Sequence, residues 1–309
     1  MSTSQRETAA AQREGITFRS GVDDCAAWYY RGGNGACVVM AGGAGVTKEP
    51  GTDRFAARFH AAGFSVLAFD YRHFGESGGT PRQVVRVRQQ LADWEAALDC
   101  AASLPGVRPD KIAGWGFSLA GGHLLRLAAR RRDDSHLAVV IAQAPLADGV
   151  ASMPHALRHE TLPVLARFPL IALRDTARAV VGRQPLLVPL AGPRGAVAML
   201  TTPDAADGDR ALNPGNAYPT WEQAIAARSV MRVGLYRPGR TAHHIRCPLM
   251  AVISTHDQSV LAAPALKAAH RAPGAEVLTI DGGHYSAFLD QHETVVAAEL
   301  DFLRRHLLP

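Results

Sequence analysis

Short apolar runs alternate with longer amphipathic stretches along most of the chain. Residues 36–41, 65–70, 112–117, 137–143 and 248–254 are almost continuously apolar, the pattern of parallel strands covered on both faces. Residues 16–20 and 25–30 predict an opening hairpin, and 276–280 a last strand. Between these runs, apolar positions at helical spacing predict helices over 51–62, 83–103, 119–131, 262–271 and 293–306. Such βαβ alternation implies an α/β fold with a mostly parallel, doubly wound sheet and right-handed crossovers.

Between residues 147 and 246 the rhythm stops. This stretch predicts helices over 155–167, 170–181 and 221–235, separated by Pro- and Gly-rich segments at 184–195 and 213–219. The expected organisation is therefore a core formed by 1–146 and 247–309, with 147–246 inserted as a helical cap over the carboxyl edge of the sheet, where α/β ligands bind. A second domain with unrelated duties is the competing reading.

The sharpest local signal is Lys111-Ile-Ala-Gly-Trp-Gly-Phe-Ser-Leu-Ala-Gly-Gly-His-Leu-Leu-Arg126, where an apolar strand turns on Ser118 and continues as a helix. Small residues at Gly116, Ala120 and Gly121 let strand and helix approach, the layout of a nucleophile elbow. Gly75-Glu-Ser-Gly-Gly79 fits the G-x-S-x-G pattern more literally. Ser77, however, sits between Asp70-Tyr-Arg-His-Phe74 and Gly78-Gly-Thr-Pro81, which is loop chemistry with no helix behind it. The competing reading of Ser118 is a small residue at a tight helix–strand contact, and its partners decide between the two.

A serine hydroxyl becomes a nucleophile when a histidine takes its proton and a carboxylate orients that histidine. Val277-Leu-Thr-Ile-Asp-Gly-Gly-His284 runs a strand into a glycine loop that presents His284, and Met250-Ala-Val-Ile-Ser-Thr-His-Asp257 puts Asp257 just past another strand. The order Ser118, Asp257, His284 matches one of the known triad arrangements. Of the other histidines, His123 reads as a packed helix residue and His256 as a loop residue, while His243-His244 line the pocket or are solvated. Asp70 and Arg72 are expected to tie down the 71–79 loop. Arg158, Arg174 and Arg232 are candidates to grip a substrate carboxylate, against the plainer reading of solvated helix faces.

Composition narrows the field. The 309 residues are 47% apolar and 20% charged, with a formal net charge of +5 carried by thirty arginines and only Lys48, Lys111 and Lys267. No basic block interleaves with aromatics, so no nucleic acid is expected. Residues 1–14 do not form a secretory signal and no apolar run reaches membrane-spanning length, which predicts a cytoplasmic protein with no membrane partner. Cys25, Cys37, Cys100 and Cys247 lack metal-ligand spacing, and Gly42-Gly-Ala-Gly45 lacks the dinucleotide fingerprint, so neither metal nor cofactor is expected. The partner expected is a small-molecule acyl substrate, and a homodimer is admitted.

Phe69-Asp-Tyr-Arg-His-Phe-Gly-Glu-Ser77, Trp115-Gly-Phe-Ser-Leu-Ala-Gly-Gly-His123 and Gly282-Gly-His284 together resemble the capped bacterial α/β-hydrolases, from end to end of the chain. The resemblance implies an oxyanion hole built from the N–H of Leu119 with that of Ala44 or Gly43. The loop there usually reads His-Gly, and this chain has Gly42 in the histidine's place, which removes that side chain's anchoring hydrogen bonds. Some relatives take the triad acid from a position like Asp148, which makes it the alternative to Asp257. Three functions fit: a serine hydrolase of esters or thioesters through an acyl-enzyme, a biosynthetic acyltransferase or acyl-eliminating lyase on the same residues, and a non-catalytic ligand-binding protein. Serine at the elbow disfavours the dehalogenase and epoxide chemistries, which use aspartate there.

Overall fold

The computed structural model describes residues 13–130 and 135–309. Its strands are β1 (Arg13–Ser20), β2 (Asp23–Tyr30), β3 (Cys37–Ala41), β4 (Ser65–Phe69), β5 (Ile112–Phe117), β6 (Leu137–Gln143), β7 (Leu187–Pro189), β8 (Ala224–Ala226), β9 (Leu249–Ser254) and β10 (Glu276–Ile280). Among the described residues, eight of them form one sheet in the order β1-β2-β4-β3-β5-β6-β9-β10, while β7 and β8 pair separately. From β4 to β10 every neighbouring pair is parallel, and only β1–β2 and β2–β4 are antiparallel. Every residue of β3, β4, β5 and β9 is buried, whereas most residues of the edge strands β1 and β10 are exposed or only partly buried. The apolar continuity of the central strands thus reports cover on both faces.

Helices α1 (Lys48–Ala61) and α9 (His292–Leu307) close one face with Phe55, Phe59 and Phe302. Helices α2 (Val87–Ser103), α3 (Leu119–Ala128) and α8 (Ala262–Arg271) close the other with Trp94, Leu124 and Ala265. The chain steps from β3 to β4 on one side and then back to β5 on the other, so α1 and α3 leave neighbouring strands toward opposite faces. That reversal opens a crevice at the carboxyl ends of β3 and β5.

Several expected boundaries shift. The helix expected over 83–103 starts at Val87, because Gln83 holds a positive φ of 59° and bonds backbone to backbone with His73 and Ala226. The helix expected over 119–131 ends at Ala128, and Arg131 lies outside the described residues, as do residues 1–12 of the 1–14 stretch expected not to form a secretory signal.

Between β6 and β9, the expected 155–167 and 170–181 helices are instead α4 (Gly149–His159) and α5 (Leu162–Val180). Asp148 caps α4 by accepting from Ala151 N–H, and extended backbone at Glu160 and Thr161 makes the break. Pro169 is carried inside α5 and ends nothing. A short α6 (Gly208–Leu212) follows, and the helix expected over 221–235 is only α7 (Ala227–Gly234), preceded by β8. Asp175 of α5 binds α7 through the backbone N–H and guanidinium of Arg228, a buried pair at 2.7 Å.

One core group sets a pH response. Glu299 of α9 is fully buried; Trp115 Nε1–H donates to its Oε1 over 3.1 Å, and Oε2 meets no partner among the described residues. Burial pushes this carboxyl well above the usual range, so the folded protein holds a proton that the unfolded chain releases above about pH 4.3. Its contribution to stability is therefore present at low pH and declines as pH rises. Glu299→Gln should flatten the fall of Tm between about pH 5 and about pH 8 and raise Tm by a few degrees at the upper end. Thermal melts across that range check this, and an unchanged slope contradicts a buried neutral carboxyl.

Candidate active site

Ser118 caps α3 at φ 56°, ψ −115°, a backbone region that side-chain-bearing residues seldom enter. Its N–H donates to Gln143 O, and its carbonyl accepts from Gly122 and Leu146 N–H. A Cβ on Gly116 would lie 2.6 Å from Ala120 C, and one on Gly121 would lie 2.9 Å from Gly116 O. The small residues flanking Ser118 are therefore dictated by the contact between β5 and α3.

His284 Nε2 lies 3.1 Å from Ser118 Oγ, and its Nδ1 lies 2.7 Å from Asp257 Oδ2. A carboxylate only accepts, so the proton belongs on Nδ1 and Nε2 faces the serine hydroxyl as acceptor. Asp257 is itself fixed, its Oδ1 accepting from Val260 N–H at 2.9 Å. His284 is almost wholly buried and stacks on Phe117 with ring centroids 4.8 Å apart. Against the desolvation that burial imposes, the charge and hydrogen bond of Asp257 and the charge of Asp204 raise His284 above the ordinary histidine value.

Asp204, in a short 3₁₀ turn (Pro203–Asp207), was not singled out from the sequence. Its carboxylate accepts from Gln258 N–H at 2.8 Å, Ser259 N–H at 3.3 Å, Ser259 Oγ at 3.0 Å and His284 N–H at 3.2 Å. Despite desolvation, the Gln258 N–H, the Thr202 hydroxyl and the nearby His284 hold this carboxyl below its usual range. One side chain thus ties the loop carrying Asp257 to the loop carrying His284. No local motif could have revealed it, since its partners are mainly backbone groups far along the chain.

The loop after β3 runs beside the serine. A Cβ on Gly43 would fall 3.1 Å from Ser118 Cβ, so the bare backbone of Gly43 is what allows this approach. Gly43, Ala44 and Leu119 share the Ser118 cavity, and Leu119 is the first residue of α3, where the helix supplies no carbonyl to its N–H. At Gly42 a Cβ would lie 2.8 Å from Val46 O, and Gly51 of α1 packs on the Gly42 Cα, so a histidine has no room. Other anchors hold the loop: Trp221 Nε1–H donates to Gly45 O at 2.9 Å, and Leu190 packs where a Gly45 side chain would stand.

Ser118 and His284 open on a cavity of about 730 Å³. Its walls are largely apolar and come mainly from the stretch between β6 and β9, including Met153, Leu165, Phe168, Met199 and Met231. Among the described residues lining it, Glu160 and Asp209 are acidic and none is Lys or Arg.

The family model described as "Alpha/beta hydrolase family" matches residues 38–299. The chain belongs to the α/β-hydrolase family. This α/β-hydrolase is 36% identical over 295 residues to the quorum-quenching protein AidA of Acinetobacter baumannii, covering 94% of each chain. It is 31% identical over 190 residues to the polyketide transferase ATR5 of Stachybotrys chlorohalonatus, covering 60% of each. The crystal structure of the α/β-hydrolase GrgF from Penicillium superposes with a TM-score of 0.77 over 96% of this chain and 99% of that one, at 22% identity, a likeness of fold.

Other candidates fall elsewhere in this α/β-hydrolase. Asp148, the alternative acid, caps α4 and takes a two-pronged ion pair from Arg237, while the carboxylate bonded to His284 Nδ1 is that of Asp257. Ser77 is a loop serine, accepting from Ala26 N–H and donating to Asp70 O. Asp70 and Arg72 both fix the 71–79 loop, with separate partners: Asp70 holds Lys48 and Glu76 N–H, and Arg72 holds Asp93. His123 is buried between Gln90 and Tyr236, its pKa lowered by desolvation to about 3. His256 faces Asp281 in solvent, and the stacked, exposed His243 and His244 line no part of the cavity. Arg158, Arg174 and Arg232 are exposed and also stand outside it.

The packing at Gly42 is directly testable. Gly42→Ala should cost about 1–3 kcal/mol of stability, because Val46 and α1 must move to admit one methyl group. Denaturant unfolding with an unchanged midpoint would show that this loop yields freely.

Proposed function

We propose that the protein is a serine-dependent hydrolase of esters or thioesters, in which Ser118 is the nucleophile, His284 the general base and then acid, and Asp257 the orienting carboxylate. The observation that carries this reading is the continuous line from Asp257 Oδ2 through His284 to Ser118 Oγ, with both contacts within hydrogen-bonding distance. Ser118 attacks the acyl carbonyl as its proton passes to His284 Nε2. Backbone N–H groups of Leu119 and of Gly43 or Ala44 hold the oxyanion. His284 then protonates the leaving alcohol or thiol, and water resolves the acyl-enzyme.

The 147–246 segment acts in this reading as a cap that shapes the substrate pocket. The apolar cavity and the lack of lysine or arginine among its described lining residues favour an uncharged, hydrophobic acyl group over a carboxylate-bearing one. Acyl transfer on the same residues is the second reading, favoured by the likeness to a protein named as a polyketide transferase. Product analysis separates the two, since transfer leaves the acyl group on an added alcohol or amine and hydrolysis leaves free acid.

Intact-protein mass after fluorophosphonate treatment tests the nucleophile. A single adduct should form on the parent and on Ser77→Ala and be absent from Ser118→Ala; an adduct on folded Ser118→Ala removes the assignment. The base is tested by pH. His284 must be neutral to accept the proton, so kcat/KM should fall as pH drops through a pKa above the ordinary histidine value. Asp204→Asn removes a negative charge that favours the imidazolium, which should move this acid limb to lower pH and reduce kcat roughly tenfold or more. An unmoved limb leaves Asp204 without influence on the base.

A further inference from the structure

A second cavity, of about 690 Å³ and open to solvent, lies away from the Ser118 site. Three stretches distant in sequence wall it: Arg88 and Leu91 from α2, Arg126 and Arg130 at the far end of α3, and Tyr236, Arg237 and Arg240 after α7. Along α3, Arg126 stands roughly 12 Å from the Ser118 end, so a ligand here need not touch the serine.

Among the described residues lining this cavity, five are arginine and none is acidic. Arg237 is neutralised by Asp148, to which its Nε donates at 2.9 Å and its Nη2 at 2.8 Å. The nearest bond from Arg126 is a long one, 3.3 Å to Thr241 Oγ1, and no described carboxylate pairs with Arg88, Arg126, Arg130 or Arg240. Burial, and after it the charge of Arg130, depress the Arg126 guanidinium.

The negative end of the α3 dipole accounts for a cation near Arg126, but not for Arg88 in the first turn of α2, where a cation is disfavoured and no acidic residue stands. Nor does it account for Arg240, which belongs to a 3₁₀ stretch (Pro238–His244). Like charges brought together in a concave surface raise the local concentration of anions. Guanidinium forks match phosphate oxygens in pairs, so several arginines lining one space suit a phosphate group better than a single carboxylate.

We propose that this cleft is a binding site for a small, multiply charged anion of the phosphate class, held chiefly by Arg126, Arg130, Arg88 and Arg240. The inference is independent of the reaction at Ser118, and its test requires no turnover.

Inorganic pyrophosphate is the probe, titrated calorimetrically into the full chain at low ionic strength. One saturable site is expected, weakening steeply as salt is added. The double variant Arg126→Ala/Arg130→Ala should weaken binding at least tenfold with Tm unchanged, while Arg271→Ala, an exposed arginine elsewhere, should leave it unaltered. Arg126→Lys/Arg130→Lys keeps the charge and loses the forks, and should bind less well than the parent. Absence of saturable heat at millimolar pyrophosphate overturns the site. So does a loss in Arg271→Ala equal to that in the double variant, which would make the attraction a property of net charge alone.

Discussion

The backbone at Ser118 is held where it would not rest by itself. A residue with a side chain at φ 56°, ψ −115° carries a strain of roughly 1–3 kcal/mol, which persists only where surrounding contacts over-determine it. Those contacts come from three directions. The Gln143 carbonyl holds the Ser118 N–H, Leu146 and Gly122 hold its carbonyl, and Gly116 and Gly121 remove the methyl groups that would push β5 and α3 apart. The loop after β3 then closes on the serine because Gly43 offers it only backbone. Strand order completes the constraint: α1 and α3 depart to opposite faces, and the serine occupies the gap between them.

The sequence made the core legible because its rules act locally. Fully apolar strands such as 112–117 can only be buried, and a serine among glycines at a strand end has few other uses. Asp257 and His284 could be chosen because each follows a strand whose direction the βαβ alternation had already implied, which places both on one rim. The 147–246 stretch resisted for the opposite reason. Its helices are broken and started by single contacts, such as the Asp148 cap on Ala151, and residues 224–226 become a strand because β7 offers them a partner. Hydrophobic spacing carries no record of such choices.

Charge placement was less legible still. Asp70 and Arg72 are neighbours in sequence and suggest a shared role, yet they bond to Lys48 and Asp93 respectively. Arg158, Arg174 and Arg232, read as possible substrate ligands, stand outside the serine cavity, whose described walls hold no lysine or arginine, and five other arginines line the cleft at the other end of α3. The molecule keeps an apolar, weakly acidic space beside Ser118 and a strongly basic one apart from it. These two environments suit solutes of opposite character, so neither should compete for the other's occupant.

Asp204 bears on how such a protein can be altered. Enzymes that carry their substrate walls in an insertion invite the idea that chemistry and selectivity are separable modules, exchangeable by swapping one stretch of chain. Here the stretch that walls the Ser118 cavity also supplies the carboxylate receiving the His284 and Gln258 amides. A chimera with a foreign insertion would inherit new walls and an unbraced histidine together. Under the proposed function, divergence of selectivity is channelled into the apolar wall positions, while the turn around residue 204 stays tied to the position of His284.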